Sequence, residues 1–419
     1  MFCYKQKCLY ALNHSFPFSS NGYASRSHGV ATGLVHAGIE VIAVSRPGMP
    51  WDKNLHAASG TSTVHAIDGV RYFHNSSPSR LQMSWAAYAE RSTEVLVEMM
   101  RVFKPGMVIA ASNWQNAWPA MKAAQQLGLP FFYEVRGFWE ISELVHRPGK
   151  SDSASFDEAV AEETAVANQA ERVFTLNHHM RNELVRRGVG ANRIDIVPNG
   201  FAGWATTSVN VPDRESLGLK SKFVAGYIGS FNAYEGLELL LQACANLRRQ
   251  GVDVCVLLVG SGDAHGLSTN GQQACTETHK LMQLATDLGI ADHVTMPGRV
   301  TAAQAAAYYA VLDVVVIPRK PLAVCELVPP LKPFEAASHG KRVLMSDVAP
   351  LLDLAPLSKG FSYFTKGSLS SLTQVLGELL QENTDRPIYS EELAQYTWQN
   401  NVKPMVQAFE DILPLDKVS

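Results

Sequence analysis

The sequence predicts an α/β protein with two domains, each built on a doubly wound parallel sheet. Short apolar runs rich in β-branched residues alternate with helical stretches through both halves of the chain, and strands separated by helices are typical of parallel sheets. The length of 419 residues exceeds one ordinary domain. The alternation breaks between residues 199 and 220, so we predict the interdomain connection there.

The first half reads as strands joined by helices, with one hairpin. Asp68-Gly69 separates two alternating runs, which indicates a type I′ turn. The helix at about 82–103 is amphipathic and stops at Pro105-Gly106; we favour packing on the sheet, and contact with a membrane surface is the alternative. Predicted strands are 9–12, 39–44, 63–67, 70–74, 107–111, 131–135, 172–176 and 194–197, and further helices are 24–38, 115–127, 155–170 and 178–188.

The second half restarts the pattern. Its first two strands end in glycine-rich turns, and Thr301 is placed to cap a helix. The last helical segment carries Trp398 in its middle. Predicted strands are 223–230, 254–263, 293–296, 313–317 and 342–346, and predicted helices are 235–250, 274–288, 301–310, one opening at 333, 368–380 and 390–413.

Composition limits the classes of partner. The net charge is −3, with 46% hydrophobic and 18% charged residues, so we expect no nucleic-acid-binding surface. No signal peptide or membrane-spanning run is evident, which predicts a cytoplasmic protein that could also work at the inner face of the membrane. The six cysteines form no Cys-x-x-Cys pair and are expected to be free thiols. The adjacent His178 and His179 predict a helix start rather than a metal site.

One loop concentrates the polar residues of the second half. It follows the strand at 313–317 and carries Arg319, Glu326, Lys332 and Glu335, among prolines that stiffen it. Ligands of doubly wound sheets bind beyond the carboxyl ends of strands. Two carboxylates and a lysine on such a loop predict a preformed site for a phosphate and sugar hydroxyls.

Two glycine turns of the second half are further candidates. Gly229-Ser230, before the helix at 235, could admit an anion to backbone N–H groups; the alternative is a tight turn that needs glycine for its backbone angles alone. Gly260-Ser-Gly262 lacks the third glycine and the acidic residue of a dinucleotide fingerprint. This makes a nicotinamide enzyme an unfavoured interpretation.

The first half offers a glycine loop and an arginine. Gly22 and Tyr23 follow the first strand, and Arg26 lies in the helix that comes next; they predict either a floor for a substrate or a plain helix entry. Arg136 ends another strand before Gly137. Its forked donors suit sugar hydroxyls or phosphate, and the alternative is an ion pair with a neighbouring acid.

Several of these stretches resemble the family-4 glycosyltransferases, retaining enzymes of the GT-B fold, and among them the type that builds bacterial surface polysaccharides. The stretches are spread over the chain in the family's order: His14–Gly29, Tyr133–Glu140, Ile196–Gly200, Gly226–Leu241 and Glu326–Ala336.

The resemblance implies two Rossmann-like domains that face each other across a cleft. The N-terminal domain, 1–203, would bind the acceptor, a saccharide or lipid-linked glycan. The domain at 204–389 would bind a nucleotide-sugar donor, and the helix at 390–419 would cross back to the first domain.

The resemblance also implies residue roles. Glu335 would bind the ribose, and Glu326 the transferring sugar, although one extra residue separates them here. Ser230 and Glu235 occupy the positions of the family's basic pair, so Lys332 would grip the diphosphate, helped by Arg319 or Arg136. Further donor contacts are expected from Gly229, Gly260, Arg299, Val300, Leu327 and Val328.

The expected reaction is transfer of a hexosyl-type sugar with retention. The departing phosphate would take the acceptor proton, and electrostatic stabilisation would come from Lys332 and the helix N-termini near Glu235 and Pro333. This expectation includes no metal and no cofactor beyond the donor substrate. One alternative is another enzyme of the same fold, either a nucleotide-sugar epimerase or hydrolase, or a phosphorylase; a phosphorylase would need a pyridoxal lysine, and none is evident in this sequence. The other alternative is a non-catalytic nucleotide-sugar-binding protein.

Overall fold

The chain forms two compact units. The computed structural model describes residues 6–19, 21–52, 62–145, 154–203, 213–262, 276–382, 388 and 390–413. The first unit comprises Met1–Gly200 and Thr397–Ser419, and the second comprises Phe201–Tyr396.

The helices and strands follow the alternation that the sequence predicts. The strands are β1 (Gln6–Leu12), β2 (Ile39–Ser45), β3 (Val64–Ile67), β4 (Val70–Phe73), β5 (Met107–Ala111), β6 (Phe131–Glu134), β7 (Arg172–Thr175), β8 (Ile194–Ile196), β9 (Phe223–Ile228), β10 (Val254–Val259), β11 (Val294–Gly298), β12 (Val314–Ile317), β13 (Arg342–Ser346) and β14 (Phe361–Phe364). The helices are α1 (Gly22–His36), α2 (Trp85–Phe103), α3 (Trp114–Leu127), α4 (Trp139–Leu144), α5 (Ala154–Gln169), α6 (His178–Arg186), α7 (Leu237–Arg249), α8 (Thr276–Asp287), α9 (Ala302–Val311), α10 (Ala323–Leu327), α11 (Lys332–Ser338), α12 (Ala349–Leu352), α13 (Leu369–Gln381), α14 (Glu391–Ala394), α15 (Trp398–Asn401) and α16 (Lys403–Ile412).

Within the described residues, the first unit holds an eight-stranded sheet in the order β3-β4-β2-β1-β5-β6-β7-β8. Its strands pair in parallel except for the hairpin of β3 and β4. Asp68 and Gly69 join that hairpin with φ values of 48° and 80°, the conformation that a type I′ turn requires. The amphipathic helix α2 packs against α3 and buries Leu96 and Met100.

The second unit holds a six-stranded parallel sheet in the order β11-β10-β9-β12-β13-β14, counted over the described residues. Its central strands β10, β9, β12 and β13 are almost wholly buried. Helices α7 and α13 pack against each other over one face. Both sheets are therefore doubly wound, and in each the strand order reverses beside the first strand.

The C-terminal segment returns to the first unit later than the sequence predicts. The expected helix at 390–413 is three short helices, and the change of unit falls at Thr397. Ser390 and Tyr396 stay with the second unit, where the Ser390 hydroxyl donates to the carbonyl of Leu357 and Tyr396 stacks on Phe334 at 5.3 Å. Trp398 then lies on α1, where a Cβ at Gly29 would stand only 2.1 Å from the indole Cε2.

The loop after β12 holds an element that the sequence does not predict. The long loop after β12 contains the short helix α10, which the sequence analysis missed; Val324 and Cys325 anchor it by burial. The four described cysteines, at 8, 244, 255 and 325, are free, whereas Cys3, Cys275 and part of the predicted connection (204–212) lie outside the described residues. Among the described helices, none is long and apolar enough to cross a membrane.

Candidate functional site

Polar side chains of the second unit gather where β9 and β12 end. These strands are neighbours, but the chain runs from β9 to β10 on the other side. The crossovers on either side of this point therefore diverge, and such a switch point is where doubly wound sheets bind ligands. Gly229 and Ser230 follow β9, and Pro318 and Arg319 follow β12.

Glu235 lies at the centre of this group and is 1% exposed. Its Oε1 lies 3.0 Å from Nη2 of Arg319 and 3.3 Å from Nζ of Lys332. Burial alone would raise the pKa of Glu235, but Arg319 and then Lys332 outweigh it and lower the pKa to about 2. Two cations thus share one carboxylate, which leaves an excess of positive charge at the switch point.

Lys332, the first residue of α11, supplies the more accessible of the two cations. Its ammonium lies 5.0 Å from the centroid of the Tyr227 ring. Its alkyl chain passes so close to Gly229 that a Cβ there would stand 2.4 Å from Cε. Gly229 also has a φ of 152°, which favours glycine. The structure therefore brings Gly229 and Lys332 together, as a phosphate site would need.

Arg319 is an anchor rather than an open donor. It is 5% exposed, and its guanidinium donates to Glu235 and, over 2.7 Å, to the carbonyl of Val328. The Tyr234 ring lies against its Cζ at 5.5 Å. Arg319, the expected helper of Lys332, thus donates to groups of the protein itself. These bonds hold Glu235 and the backbone at Val328 in place.

Glu335 lies one turn beyond Lys332 on α11 and is half-buried. Burial raises the pKa of Glu335, and Lys332 opposes this. Across the described residues, we find no hydrogen-bond donor paired with its carboxylate. A desolvated carboxylate in this state favours hydroxyl donors from a ligand.

Glu326 is bonded to two other segments of the second unit. It lies in α10, where its Oε1 is 2.5 Å from Nζ of Lys366 and its Oε2 accepts from the backbone N–H of Ala349 over 2.9 Å. These bonds tie α10 to the loops after β13 and β14. Leu327 ends α10, and Val328 follows as its cap. The structure therefore shows Glu326 bonded within the second unit, and its contact with the transferring sugar stays a prediction.

Three candidates lie around the end of β11. The N–H of Gly260 donates to the carbonyl of Gly298 over 2.8 Å, and a Cβ at Gly260 would stand 1.8 Å from the Gly229 carbonyl oxygen. Gly260 is thus required by the close approach of two strand ends. Arg299 and Val300 follow β11 directly and are half-buried, at the same edge of the sheet as Gly229.

In the first unit, Arg26 and Arg136 form a buried ion network instead of an open site. Both flank Glu134, with nitrogen–oxygen distances of 2.9 Å and 2.7 Å, and the Tyr10 hydroxyl joins them. Arg26 also donates to the carbonyl of Val197 over 2.7 Å. Both arginines are almost fully buried, so the structure shows Arg136 in the ion pair that the sequence analysis gave as the alternative. Contact of Arg26 or Arg136 with a substrate stays a prediction.

Gly22 and Tyr23 begin α1, and the Asn21 side chain caps that helix by accepting from the N–H of Ala24 over 3.0 Å. The Tyr23 ring lies 5.9 Å from His14 and 5.7 Å from Trp139, centroid to centroid. These half-buried rings form an aromatic cluster at the carboxyl edge of the first sheet. The sequence analysis overlooked His14 and Trp139, although both flank strand ends.

Both halves of the chain match known protein families. The family described as "Glycosyl transferase 4-like domain" matches residues 21–200, and "Glycosyl transferases group 1" matches residues 222–382. Curated relatives are more distant. A D-inositol 3-phosphate glycosyltransferase of Gordonia bronchialis is 26% identical over 330 residues, which cover 77% of this chain and 68% of the relative. One from Segniliparus rotundus is 34% identical over 128 residues, but the match spans only 26% of that protein and 30% of this chain.

Solved structures share the architecture at low identity. Sucrose-phosphate synthase from Thermosynechococcus elongatus has a TM-score of 0.72 and 16% identity, over 97% of this chain and 98% of that one. The Anabaena protein HepE in complex with UDP-glucose has a TM-score of 0.67 and 17% identity, over 97% and 99%. At such identities the likeness establishes the fold alone.

The two Rossmann-like units and the two family matches define a glycosyltransferase of the GT-B fold. Within that class, the chain belongs to the family-4 glycosyltransferases.

Proposed function

We propose that this glycosyltransferase moves a hexosyl-type sugar from a nucleoside-diphosphate donor to a saccharide or lipid-linked acceptor, with retention of anomeric configuration. The observation that carries the proposal is the pairing on α11. Lys332 brings an ammonium to the Gly229 turn, and Glu335 offers a carboxylate one turn further along. The diphosphate would lie against Lys332, and the ribose hydroxyls would donate to Glu335.

The charges of the site suit the departure of a nucleoside diphosphate. Cleavage of its bond to the anomeric carbon places negative charge on the phosphate and positive character on the sugar. The excess positive charge around Lys332, Arg319 and Glu235 stabilises the first of these. We propose front-face attack, in which the departing phosphate takes the proton of the acceptor hydroxyl, so that the step uses no protein base and no metal ion.

We place the acceptor at the carboxyl edge of the first sheet. His14, Tyr23 and Trp139 present aromatic rings there, and ring faces with few polar groups are usual in sites for small organic ligands. Bacterial surface-polysaccharide synthesis, at the cytoplasmic face of the membrane, is the setting that we propose for such an acceptor.

The test begins with a thermal-shift screen of nucleotide-sugars, because a ligand of the native state raises the unfolding temperature. Release of nucleoside diphosphate is then measured with and without acceptors, which include oligosaccharides, lipid-linked glycans and inositol phosphates, in the presence of EDTA. NMR of the product reports the anomeric configuration. A rate of nucleoside-diphosphate release that is the same with and without every acceptor would instead indicate a hydrolase or epimerase. Donor binding without any turnover would indicate a non-catalytic protein.

Glu335→Gln is expected to raise the KM for the donor by about 10- to 100-fold, since hydrogen bonds to a charged group contribute about 1.5–3 kcal/mol. Protonation should act in the same direction. Because the pKa of Glu335 is raised, the donor KM of the wild type should rise as the pH falls towards it, and that rise should be absent in the variant. Steady-state kinetics across pH measure both effects.

Glu378→Gln is the matched control for this substitution. Glu378 is exposed on α13, and within the described residues its carboxylate accepts one hydrogen bond, from the amide of Gln374. It should leave the donor KM unchanged. A donor KM for Glu335→Gln equal to that of the control would remove Glu335 from the ribose site.

A further inference from the structure

A buried carboxylate lies in the middle of a site proposed for an anion. Glu235 stands where the family resemblance expects a basic residue, and its negative charge alone would repel a diphosphate. The carboxylate is nevertheless ionised and inaccessible, because its pKa is lowered to about 2 by Arg319 and Lys332 and it is 1% exposed. Its presence therefore calls for a function other than direct contact with the donor.

The contacts of Glu235 join two loops of the second unit. Glu235 belongs to the loop after β9, whereas Arg319 and Lys332 both come from the segment after β12. Arg319 takes the deeper position with Nε and Nη2 at 3.4 Å and 3.0 Å from the two carboxylate oxygens. Lys332 shares the Oε1 atom at 3.3 Å. One carboxylate thus fixes the distance between the two strand ends that flank the switch point.

The same contacts fix where the Lys332 ammonium lies. The Tyr227 ring is on one side at 5.0 Å, and the hydroxyl of Tyr227 donates to the carbonyl of Ser230 over 3.0 Å. Gly229 leaves room for the lysine chain. A lysine side chain has several rotatable bonds, and the bond to Glu235 selects the conformation in which its ammonium faces the Gly229–Ser230 turn.

We propose that Glu235 is a positioning residue, which holds the Lys332 ammonium beside the Gly229–Ser230 turn and aims it at the donor diphosphate, while Arg319 offsets the charge of Glu235. The basic residue that the family places after β9 is thereby replaced by a lysine from the other loop, with Glu235 as its holder. This inference rests on the proposed function, because it assigns Lys332 to the donor.

The test compares Glu235→Gln with the wild type, using the donor found by the nucleotide-sugar screen. Without the carboxylate, Lys332 loses its hydrogen-bond partner, and the positive charge of Arg319 beside it is no longer offset. We expect kcat to fall at least about tenfold with a much smaller change in the donor KM, because a misplaced ammonium loses most of its effect where charge develops in the transition state. Asp313→Asn is the matched control: Asp313 pairs with Arg214 at 3.0 Å at the opposite end of β12, and its loss should leave both unchanged.

Two further variants separate positioning from folding. Glu235→Asp keeps the charge and should restore part of kcat. Glu235→Gln combined with Arg319→Gln removes the buried pair without an unpaired charge, which is far less destabilising than removing one partner, and should show the same loss of kcat. A folded Glu235→Gln or double variant with the kcat of the wild type would overturn the proposal, as would a Glu235→Asp variant with a kcat no higher than that of Glu235→Gln. Absence of sugar transfer in the wild type would contradict the proposed function instead, and nucleoside-diphosphate affinity, measured by calorimetry, would still report on Glu235.

Discussion

Lys332→Ala is expected to lower turnover by about a hundredfold or more. In the proposed reaction the ammonium faces the charge that develops on the departing diphosphate, and removal of one preorganised donor of this kind typically costs about 10²–10³ in kcat. The protein should stay folded, because Glu235 keeps its bond to Arg319 at 3.0 Å. Single-turnover kinetics with the identified donor, alongside calorimetric affinity for its nucleoside diphosphate, measure the effect.

Lys320→Ala provides the matched control. Lys320 comes from the same segment after β12, but it pairs with Glu238 at the partly exposed start of α7. Its removal should change turnover little, since exposed ion pairs contribute about 0–1 kcal/mol. Lys332→Arg should recover part of the lost rate because it keeps a cation. Near-normal turnover in Lys332→Ala would rule this residue out as the diphosphate contact, whatever the donor proves to be.

The fold was accessible from sequence because its signals are local. Asp68-Gly69 demands positive φ values wherever it joins two strands, and the apolar runs of β9, β10 and β12 are short, β-branched and followed by glycine or proline. Such patterns depend on neighbouring residues only. The short helix α10 escaped prediction because a proline-rich flank concealed its single turn.

The site was harder to predict, because its contacts join distant positions. Glu235 is 84 residues from Arg319 and 97 from Lys332, so the sequence showed a missing basic residue but not the cations that surround its replacement. Lys332 was inferred from what is missing at Ser230 and Glu235. The partner of Glu326 could not be predicted from the sequence, because Lys366 follows β14, two strands further along the chain.

The sequence around Arg136 contains a signal for its ion pair. Glu134 and Arg136 are two positions apart at the end of β6, and alternate residues of a strand point to the same side. An intimate ion pair was therefore available from spacing alone. The third member, Arg26, comes from α1 and is 108 residues from Glu134, which is why the full network required the structure.

Glu134→Gln is expected to destabilise the first unit by about 3–5 kcal/mol, because it leaves the buried guanidinium groups of Arg26 and Arg136 without a counterion. Urea unfolding, with hydrogen exchange of β6 as a local probe, measures the loss. Glu98→Gln is the matched control: the Glu98–Arg101 pair is exposed, and its loss should cost less than about 1 kcal/mol. Equal stability of the two variants would contradict a structural role for the network.

The pH dependence gives the network a second signature. Burial by itself would raise the pKa of Glu134, but Arg136 and Arg26 outweigh it and lower the pKa from 4.5 to about 2. A lowered native pKa contributes stability that is fully present above about 4.5 and is lost as the pH falls towards about 2. The difference in unfolding free energy between the wild type and Glu134→Gln should therefore be constant from pH 7 to about pH 5 and should narrow below it. A constant difference down to pH 3 would show that the carboxylate is not held ionised by the two arginines, and the network would then owe its stability to packing alone.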